Sequence, residues 1–229
     1  MSNVLRQHFP RFGRLANHVL FINIERDSDD DDDDHDDDDS YDDGNGLGSG
    51  VLLTDHLAVT ANHVVDGATT LTAYATRFQE HRPYLRSAKR GTVVKVLWRD
   101  AVHDLAVIKL RRTINATPAN FAAVPTLDID QAVLRLGYDD YRLGVGYIHG
   151  FEIVDTATRF KASLQAGPGT SGGPLFDFHS GELVGIVTHA HDDEDMPPAA
   201  HGMPLRTLFT LLAAQAPDLH KRILTRAIR

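Results

Sequence analysis

The stretch GPGTSGGPL, residues 167–175, says most about the fold of this chain. It places Ser171 in a tight turn bounded by glycines, and an apolar run follows from Leu175. Glycine reaches backbone conformations that side chains forbid, so such a turn can hold a serine with backbone N–H groups aimed at a neighbouring atom. A serine in this setting becomes a nucleophile when a base and an orienting carboxylate lie beside it. Because the turn alone is also compatible with a structural role, the prediction depends on finding these partners.

Two segments nearer the N-terminus supply candidate partners. GSGVLL (48–53) and VTANHVV (59–65) read as a strand, a turn and a strand that ends in His63, and DLAVIKL (104–110) begins with Asp104. Taken alone, an aspartate before an apolar strand is more often a turn residue. Together with the glycine-rich turn, the segments predict a triad of a base, a carboxylate and a nucleophile, His63, Asp104 and Ser171.

The rest of the chain consists largely of short apolar runs separated by turn residues, with no lasting helical period. The runs span residues 15–25, 50–53, 57–61, 91–97, 105–110, 132–136, 150–154 and 183–188. Many short strands at fairly even spacing predict an all-β sandwich or barrel rather than alternating strands and helices. Near the end, Pro204 suits the first position of a helix over 204–216, and Pro217 separates it from a second amphipathic segment over 217–229.

An acidic tract dominates the formal charge of −9, since 13 aspartates lie within residues 27–43. The chain outside the tract has 23 basic and 19 acidic residues. It has no basic cluster interleaved with aromatic residues that would indicate a nucleic-acid partner. Like charges repel, so we expect the tract to be a solvated loop. Three functions remain possible for the tract: binding of cations, electrostatic attraction of basic peptides, or none, as a passive insertion.

Composition also bears on location. The chain has no cysteine, which excludes disulfides, thiolate metal sites and a cysteine nucleophile. It shows no signal-peptide pattern and no apolar run long enough to span a bilayer. Because a lack of cysteines fits a reducing compartment, we expect a cytoplasmic protein without membrane contact.

The three motifs occur in the chain order of the trypsin superfamily, and the sequence most closely resembles the protease domain of its Deg/HtrA branch. This resemblance implies a protease domain over residues 15–216 after an extension over 1–14. It implies two six-stranded antiparallel β-barrels, about 15–115 and 120–203, followed by a C-terminal helix. The branch usually continues into a peptide-binding PDZ domain, for which the residues from 217 onward leave no room.

The same resemblance implies a function, that of a serine endopeptidase acting on proteins or peptides without cofactor or metal. It makes His63 the general base, Asp104 its orienting carboxylate and Ser171 the nucleophile, with the N–H groups of Gly169 and Ser171 as the oxyanion hole. Thr170 replaces the aspartate that pairs with a freshly cut N-terminus in the digestive branch, so activation by cleavage is not expected.

The pocket for the residue before the scissile bond is implied as well. The residues that resemble its walls are Gln165, Thr188, His189, Ala190 and His201. None of them is acidic, so we expect no preference for Lys or Arg. We expect small apolar or polar residues, or acidic ones when a pocket histidine is charged.

Two alternatives from other classes remain open. A catalytically silent domain of the same fold would bind peptides without cutting them. The run THAHDD (188–193) resembles the metal-binding turn of metallo-β-lactamase-type hydrolases, with His189 and His191 as ligands. Glu194 stands where that turn has a further histidine, which weakens this second alternative.

Overall fold

The computed structural model describes residues 13–26, 45–79, 82–87, 91–137, 143–154, 156–164, 167, 169–191 and 199–227. The expected acidic loop over 27–43 and the pocket residue Gln165 lie outside the described residues. A helical turn at 13–16 precedes the first strand. The strands are β1 Val19–Glu25, β2 Asn45–Leu52, β3 Leu57–Thr60, β4 Thr70–Gln79, β5 Arg82–Ser87, β6 Thr92–Asp100, β7 Leu105–Leu110, β8 Ala132–Leu136, β9 Leu143–Val154, β10 Ala157–Ala162, β11 Pro174–Asp177, β12 Leu183–His191 and β13 Ala199–Pro204. The helices are α1 Asn62–Val65, α2 Leu205–Gln215 and α3 Pro217–Ala227.

The first seven strands form one antiparallel sheet in the order β1-β2-β3-β7-β6-β4-β5. An additional pairing between β1 and β4 closes six of these strands into a barrel, and β5 extends β4 at its edge. Buried residues alternate with more exposed ones along β1 and along the first half of β6, so one face of each strand supplies the barrel core. This core includes Leu20, Ile22, Leu52, Ala73 and Ile108.

The other six strands form a second closed barrel in the order β10-β13-β12-β11-β8-β9. All of its pairings are antiparallel. Its core includes Val133, Ile148, Phe160, Leu175 and Val187. The prediction of an all-β fold with two six-stranded antiparallel barrels is therefore confirmed.

A third cluster of buried side chains joins the barrels to the C-terminal helices. It contains Leu105 at the start of β7, Phe176 of β11, Ile186 of β12, and Leu208 and Leu212 of α2. Burying a side chain of this size is worth roughly 1.5–3 kcal/mol. The cluster therefore holds the two barrels against each other and sets the geometry of the cleft between them.

Several elements differ from the sequence-based prediction. The first strand begins at Val19 rather than at residue 15, because Leu15 and Ala16 belong to the helical turn. Pro204 ends β13 and directly precedes α2 instead of starting the helix. Strands β4, β5, β10 and β13 lie outside the runs that the sequence predicted. No helix within the described residues is long and apolar enough to cross a membrane.

Candidate active site

Two neighbouring strands of the first barrel bring His63 and Asp104 together. Strand β3 leads into α1, which carries His63, and β7 begins one residue after Asp104. Because β3 and β7 pair antiparallel, the end of one lies beside the start of the other. Nδ1 of His63 lies 2.7 Å from Oδ2 of Asp104, and the backbone N–H of His63 donates to Oδ1 at 2.9 Å. The carboxylate thus holds the histidine at two points.

This contact determines which ring nitrogen of His63 carries the proton. An ionised carboxylate only accepts hydrogen bonds, so Nδ1 is the protonated nitrogen of the neutral ring and Nε2 keeps its lone pair. The Asp104 side chain is 9% exposed, whereas that of His63 is 48% exposed. Asp104 has a φ of 52°, in the left-handed region that aspartate tolerates better than most residues. A buried acceptor therefore orients an accessible imidazole.

Ser171 lies in the glycine-rich turn that leads into β11 of the second barrel. Gly169 and Gly172 have φ values of 86° and 81°, which explains why glycines flank the serine. The Ser171 hydroxyl donates to the carbonyl of Thr188 at 3.5 Å, the long limit of a hydrogen bond. Among the described residues this carbonyl is its one partner, so the hydroxyl is not hydrogen-bonded to His63 in this structure.

Ser49 of β2 connects the first barrel to this turn by hydrogen bonds. The Ser49 N–H donates to the carbonyl of Ser171 at 2.8 Å, and the Ser49 hydroxyl donates to the carbonyl of Gly169 at 2.6 Å. A Cβ on Gly172 would lie 2.1 Å from Oγ1 of Thr60 and 2.2 Å from the carbonyl oxygen of Ser49. Sequence reasoning missed the role of Ser49, whose only signal was its place in the segment GSGVLL.

The backbone N–H groups around Ser171 divide into two sets. Those of Thr170, Gly172 and Gly173 donate to carbonyls at 3.1, 2.7 and 2.9 Å. No described residue accepts a hydrogen bond from the N–H of Gly169 or of Ser171. The two N–H groups that the family resemblance implies for an oxyanion hole therefore have no acceptor within the described part of the chain.

Strand β12 forms a wall beside these residues. Thr188 is fully buried, and its hydroxyl lies 3.0 Å from Nδ1 of His189. The same Nδ1 lies 3.9 Å from Oδ2 of Asp104, and the rings of His189 and His63 are 5.8 Å apart. In the pairing of β12 with β13, His189 lies opposite His201. The next pair joins Ala190 to Ala200, so three of the expected pocket residues share this two-stranded segment.

The environment of His189 disfavours its charged form. Burial lowers the pKa of His189 below its ordinary value. The carboxylate of Asp104 opposes this shift, while the charges of Arg159, His63 and His201 lower the pKa further. A neutral imidazole is therefore the favoured form beside the pair of His63 and Asp104.

The alternative metal site falls partly outside the described residues. His191 ends β12, and the acidic residues that follow it are not described. Where the structure describes the chain, no group of three or more histidine, aspartate or glutamate side chains is arranged to hold a metal ion. His189 contacts Thr188 and lies near Asp104 instead.

Comparison with known proteins identifies the family. Residues 48–186 match the model of the trypsin-like peptidase domain. The chain belongs to this family. The matched segment contains His63, Asp104 and Ser171.

The curated relatives that match this trypsin-like domain are of the Deg/HtrA type, which supports the resemblance found in the sequence. A probable periplasmic serine protease do/HhoA-like from Haemophilus influenzae is 27% identical over 155 residues, which cover 62% of this chain and 30% of the relative. A probable periplasmic serine endoprotease DegP-like from Marinomonas sp. is 28% identical over 163 residues, 61% of this chain and 29% of the relative. The chain thus spans less than a third of the curated relatives that it matches.

Solved structures share the fold at lower identity. The Rv3671c protease from M. tuberculosis in its active form superposes with a TM-score of 0.69 at 18% identity, covering 93% of this chain and 86% of that one. A structure of the HtrA-type protease AlgW with a tripeptide gives a TM-score of 0.68 at 18% identity, covering 91% and 62%. These likenesses support the two-barrel architecture.

The expected cytoplasmic location is wrong. Both curated relatives are named as periplasmic proteins, which points to a periplasmic or secreted location. The absence of cysteines did not decide the compartment, because a domain of this size can bury enough apolar surface to fold without disulfides in either one.

Proposed function

We propose that this trypsin-like domain of HtrA type is a serine endopeptidase with His63, Asp104 and Ser171 as its catalytic triad. The observation that carries the proposal is the two-point contact between His63 and Asp104, which leaves Nε2 of an accessible imidazole as a proton acceptor. Ser171 follows on a turn that Ser49 ties to the same barrel. The turn that carries Ser171 is thus tied by direct hydrogen bonds to the barrel that carries His63 and Asp104.

In the first step, Oγ of Ser171 attacks the carbonyl carbon of a peptide bond while Nε2 of His63 takes the hydroxyl proton. The imidazolium then delivers this proton to the leaving amine, and an acyl-enzyme ester on Ser171 remains. Water, deprotonated by Nε2, attacks the ester and restores the serine. Asp104 stays ionised throughout and stabilises the imidazolium at each step.

The developing oxyanion would be bound by the N–H groups of Gly169 and Ser171, which have no described acceptor. Removing one such donor from a related site costs about 100- to 1000-fold in kcat. For the first step the Ser171 hydroxyl has to leave the carbonyl of Thr188 and turn toward Nε2 of His63. Hydrogen bonds between catalytic groups are often long or absent before substrate binds and form only in the complex.

The direct test is hydrolysis of an unfolded protein substrate by wild type, Ser171→Ala and His63→Ala. Loss of the nucleophile or its base should lower kcat by about five to six decades. Ser180→Ala is a matched control, since Ser180 lies in the exposed turn between β11 and β12 and should leave kcat unchanged. Retention of more than about a hundredth of wild-type turnover in either triad variant would refute the assignment.

The same assay separates the peptide-binding alternative. A silent domain would bind peptides with similar affinity before and after Ser171→Ala and would hydrolyse none of them. Activity that chelators abolish and that survives Ser171→Ala would instead favour the metallohydrolase of His189 and His191.

A further inference from the structure

A row of titratable side chains crosses the outer surface of the second barrel and ends at the candidate active site. Residues directly opposite each other in antiparallel strands share one face. Glu152 of β9 lies opposite Arg159 of β10, Lys161 of β10 lies opposite His201 of β13, and His201 lies opposite His189 of β12. We call these five residues the charged row.

The row faces outward because the residues between its members face inward. Phe160, Ala162, Ala200 and Gly202 alternate with them along β10 and β13 and are buried in the barrel. The strand pairing therefore gathers charges from four separate segments of the sequence on one surface.

The single carboxylate of the row is fully occupied. Oε1 of Glu152 lies 2.6 Å from Nδ1 of His201, and Oε2 lies 2.6 Å from Nζ of Lys161. Burial alone would raise the pKa of Glu152, but the hydrogen bonds and charges of Lys161 and His201 outweigh it and lower that pKa. Glu152 is thus ionised at neutral pH and its charge is balanced by Lys161.

Within the described part of the chain, Arg159 has no counter-charge. It lies opposite Glu152, yet it forms no hydrogen bond or ion pair with any described residue, and its Nε is buried without a hydrogen-bond partner. Arginine stays protonated under all ordinary conditions, so it cannot escape this cost by losing its charge. An unsatisfied buried donor is destabilising unless a ligand supplies the missing acceptor.

The charge of Arg159 also acts on a residue at the candidate active site. The charge of Arg159 lowers the pKa of His189, and the ring of His189 lies 5.8 Å from that of His63. The charged row thus extends from Arg159, which has no described counter-charge, to His189 beside the candidate triad. On the resemblance already described, His189 and His201 belong to the pocket for the residue before that bond.

We propose that Arg159 is a specificity-determining residue that binds the carboxylate of a Glu or Asp side chain in the substrate, so that the enzyme cleaves after acidic residues. This inference rests on the proposed peptidase function. Guanidinium and carboxylate form two parallel hydrogen bonds, which suits an arginine for which the described residues supply no acceptor. His201 lies 2.6 Å from Oε1 of Glu152, so this carboxylate is engaged and does not compete for Arg159.

The test compares two peptides that differ only in Glu or Gln at the position before the scissile bond. Wild type should show a kcat/KM about 10- to 100-fold higher for the Glu peptide, as expected for a charge-assisted contact. Arg159→Gln should reduce this ratio to near one while changing kcat/KM for the Gln peptide less than about threefold. Arg206→Gln, which removes the same charge from the exposed side of α2, should leave the ratio unchanged.

Binding of both peptides to the Ser171→Ala chain separates this inference from the peptidase function. If the Ser171→Ala chain binds the Glu peptide more tightly than the Gln peptide, and Arg159→Gln removes this difference, the proposal is supported. This holds even if the wild-type chain hydrolyses neither peptide, because the lack of hydrolysis would refute only the peptidase function. Hydrolysis without a preference for Glu would refute the proposal and leave the peptidase intact. Equal binding of both peptides, or a preference that survives Arg159→Gln, would also overturn it.

Discussion

Replacing Asp104 by asparagine should disable the site without disturbing the fold. Asparagine has the same shape and tolerates the left-handed backbone at this position, where φ is 52°. Its amide carries one acceptor instead of two. The carboxylate now accepts from both the N–H and the Nδ1 of His63, so one of these contacts must change.

The consequence follows from the chemistry of the amide. If the amide oxygen keeps the backbone N–H of His63, the NH2 group faces Nδ1, which must then become an acceptor. The ring proton moves to Nε2, and His63 can no longer take the proton of Ser171. We expect kcat to fall about 10⁴-fold, equivalent to about 5.4 kcal/mol in the activation barrier.

The matched control is Asp100→Asn. Oδ1 of Asp100 accepts from the backbone N–H of His103 at 2.9 Å and lies 3.0 Å from Nδ1 of the same histidine. Asp100 therefore contacts the backbone and the ring of a histidine as Asp104 does, but outside the candidate site. Both variants should be followed by peptide hydrolysis and by thermal unfolding. The reasoning is refuted if Asp104→Asn keeps more than about a hundredth of wild-type kcat, or if Asp100→Asn loses as much activity as Asp104→Asn.

Further predictions concern the joint between the barrels and the effects of pH. Gly172→Ala should destabilise the fold by about 1–3 kcal/mol, because the new Cβ would overlap two atoms of the first barrel and the backbone φ at this position is positive. Gly150→Ala is the control: its new Cβ would have no atom within 4 Å, so the melting temperature should not fall through a clash. Glu152→Gln should lower the free energy of unfolding at pH 7, and this loss should shrink as the pH falls below the ordinary pKa of a glutamate. Because the folded-state pKa of Glu152 is lowered, its contribution is lost as the pH falls through that folded-state value. A loss that stays constant as the pH is lowered through the acid range would contradict this. The folded-state pKa of His189 is also lowered, so the unfolded chain binds that proton first and stability should decline as the pH falls below about 6.5. His189→Gln should flatten this decline in thermal unfolding between pH 7 and 5, and an unchanged slope would count against it.

The short apolar runs and the turns between them predicted an all-β fold, and the two six-stranded barrels were implied by the resemblance to the trypsin superfamily. The segments around His63, Asp104 and Ser171 could also be found, since each is contiguous. The positions of Ser49 and Arg159 could not. Ser49 matters through hydrogen bonds to a turn about 120 residues away, and such contacts leave no local pattern.

The charged row shows the same limit more clearly. Glu152, Lys161 and His201 come from three strands, and which of them pair depends on a register that includes a bulge between Lys161 and Ala162. A shift of one residue would turn these side chains into the core. Only the folded register shows that Glu152 has two partners and that Arg159 has none among the described residues.

The most direct test of the account is the mass of the intact chain after treatment with a fluorophosphonate probe, which reacts with an activated serine. We predict one adduct per chain, located on Ser171 by peptide mapping. It should be absent from Ser171→Ala and reduced at least 1000-fold in rate in His63→Ala. An adduct that persists in Ser171→Ala, or a folded wild-type chain that hydrolyses peptides but is not labelled, would contradict the central claim that Ser171 is the nucleophile.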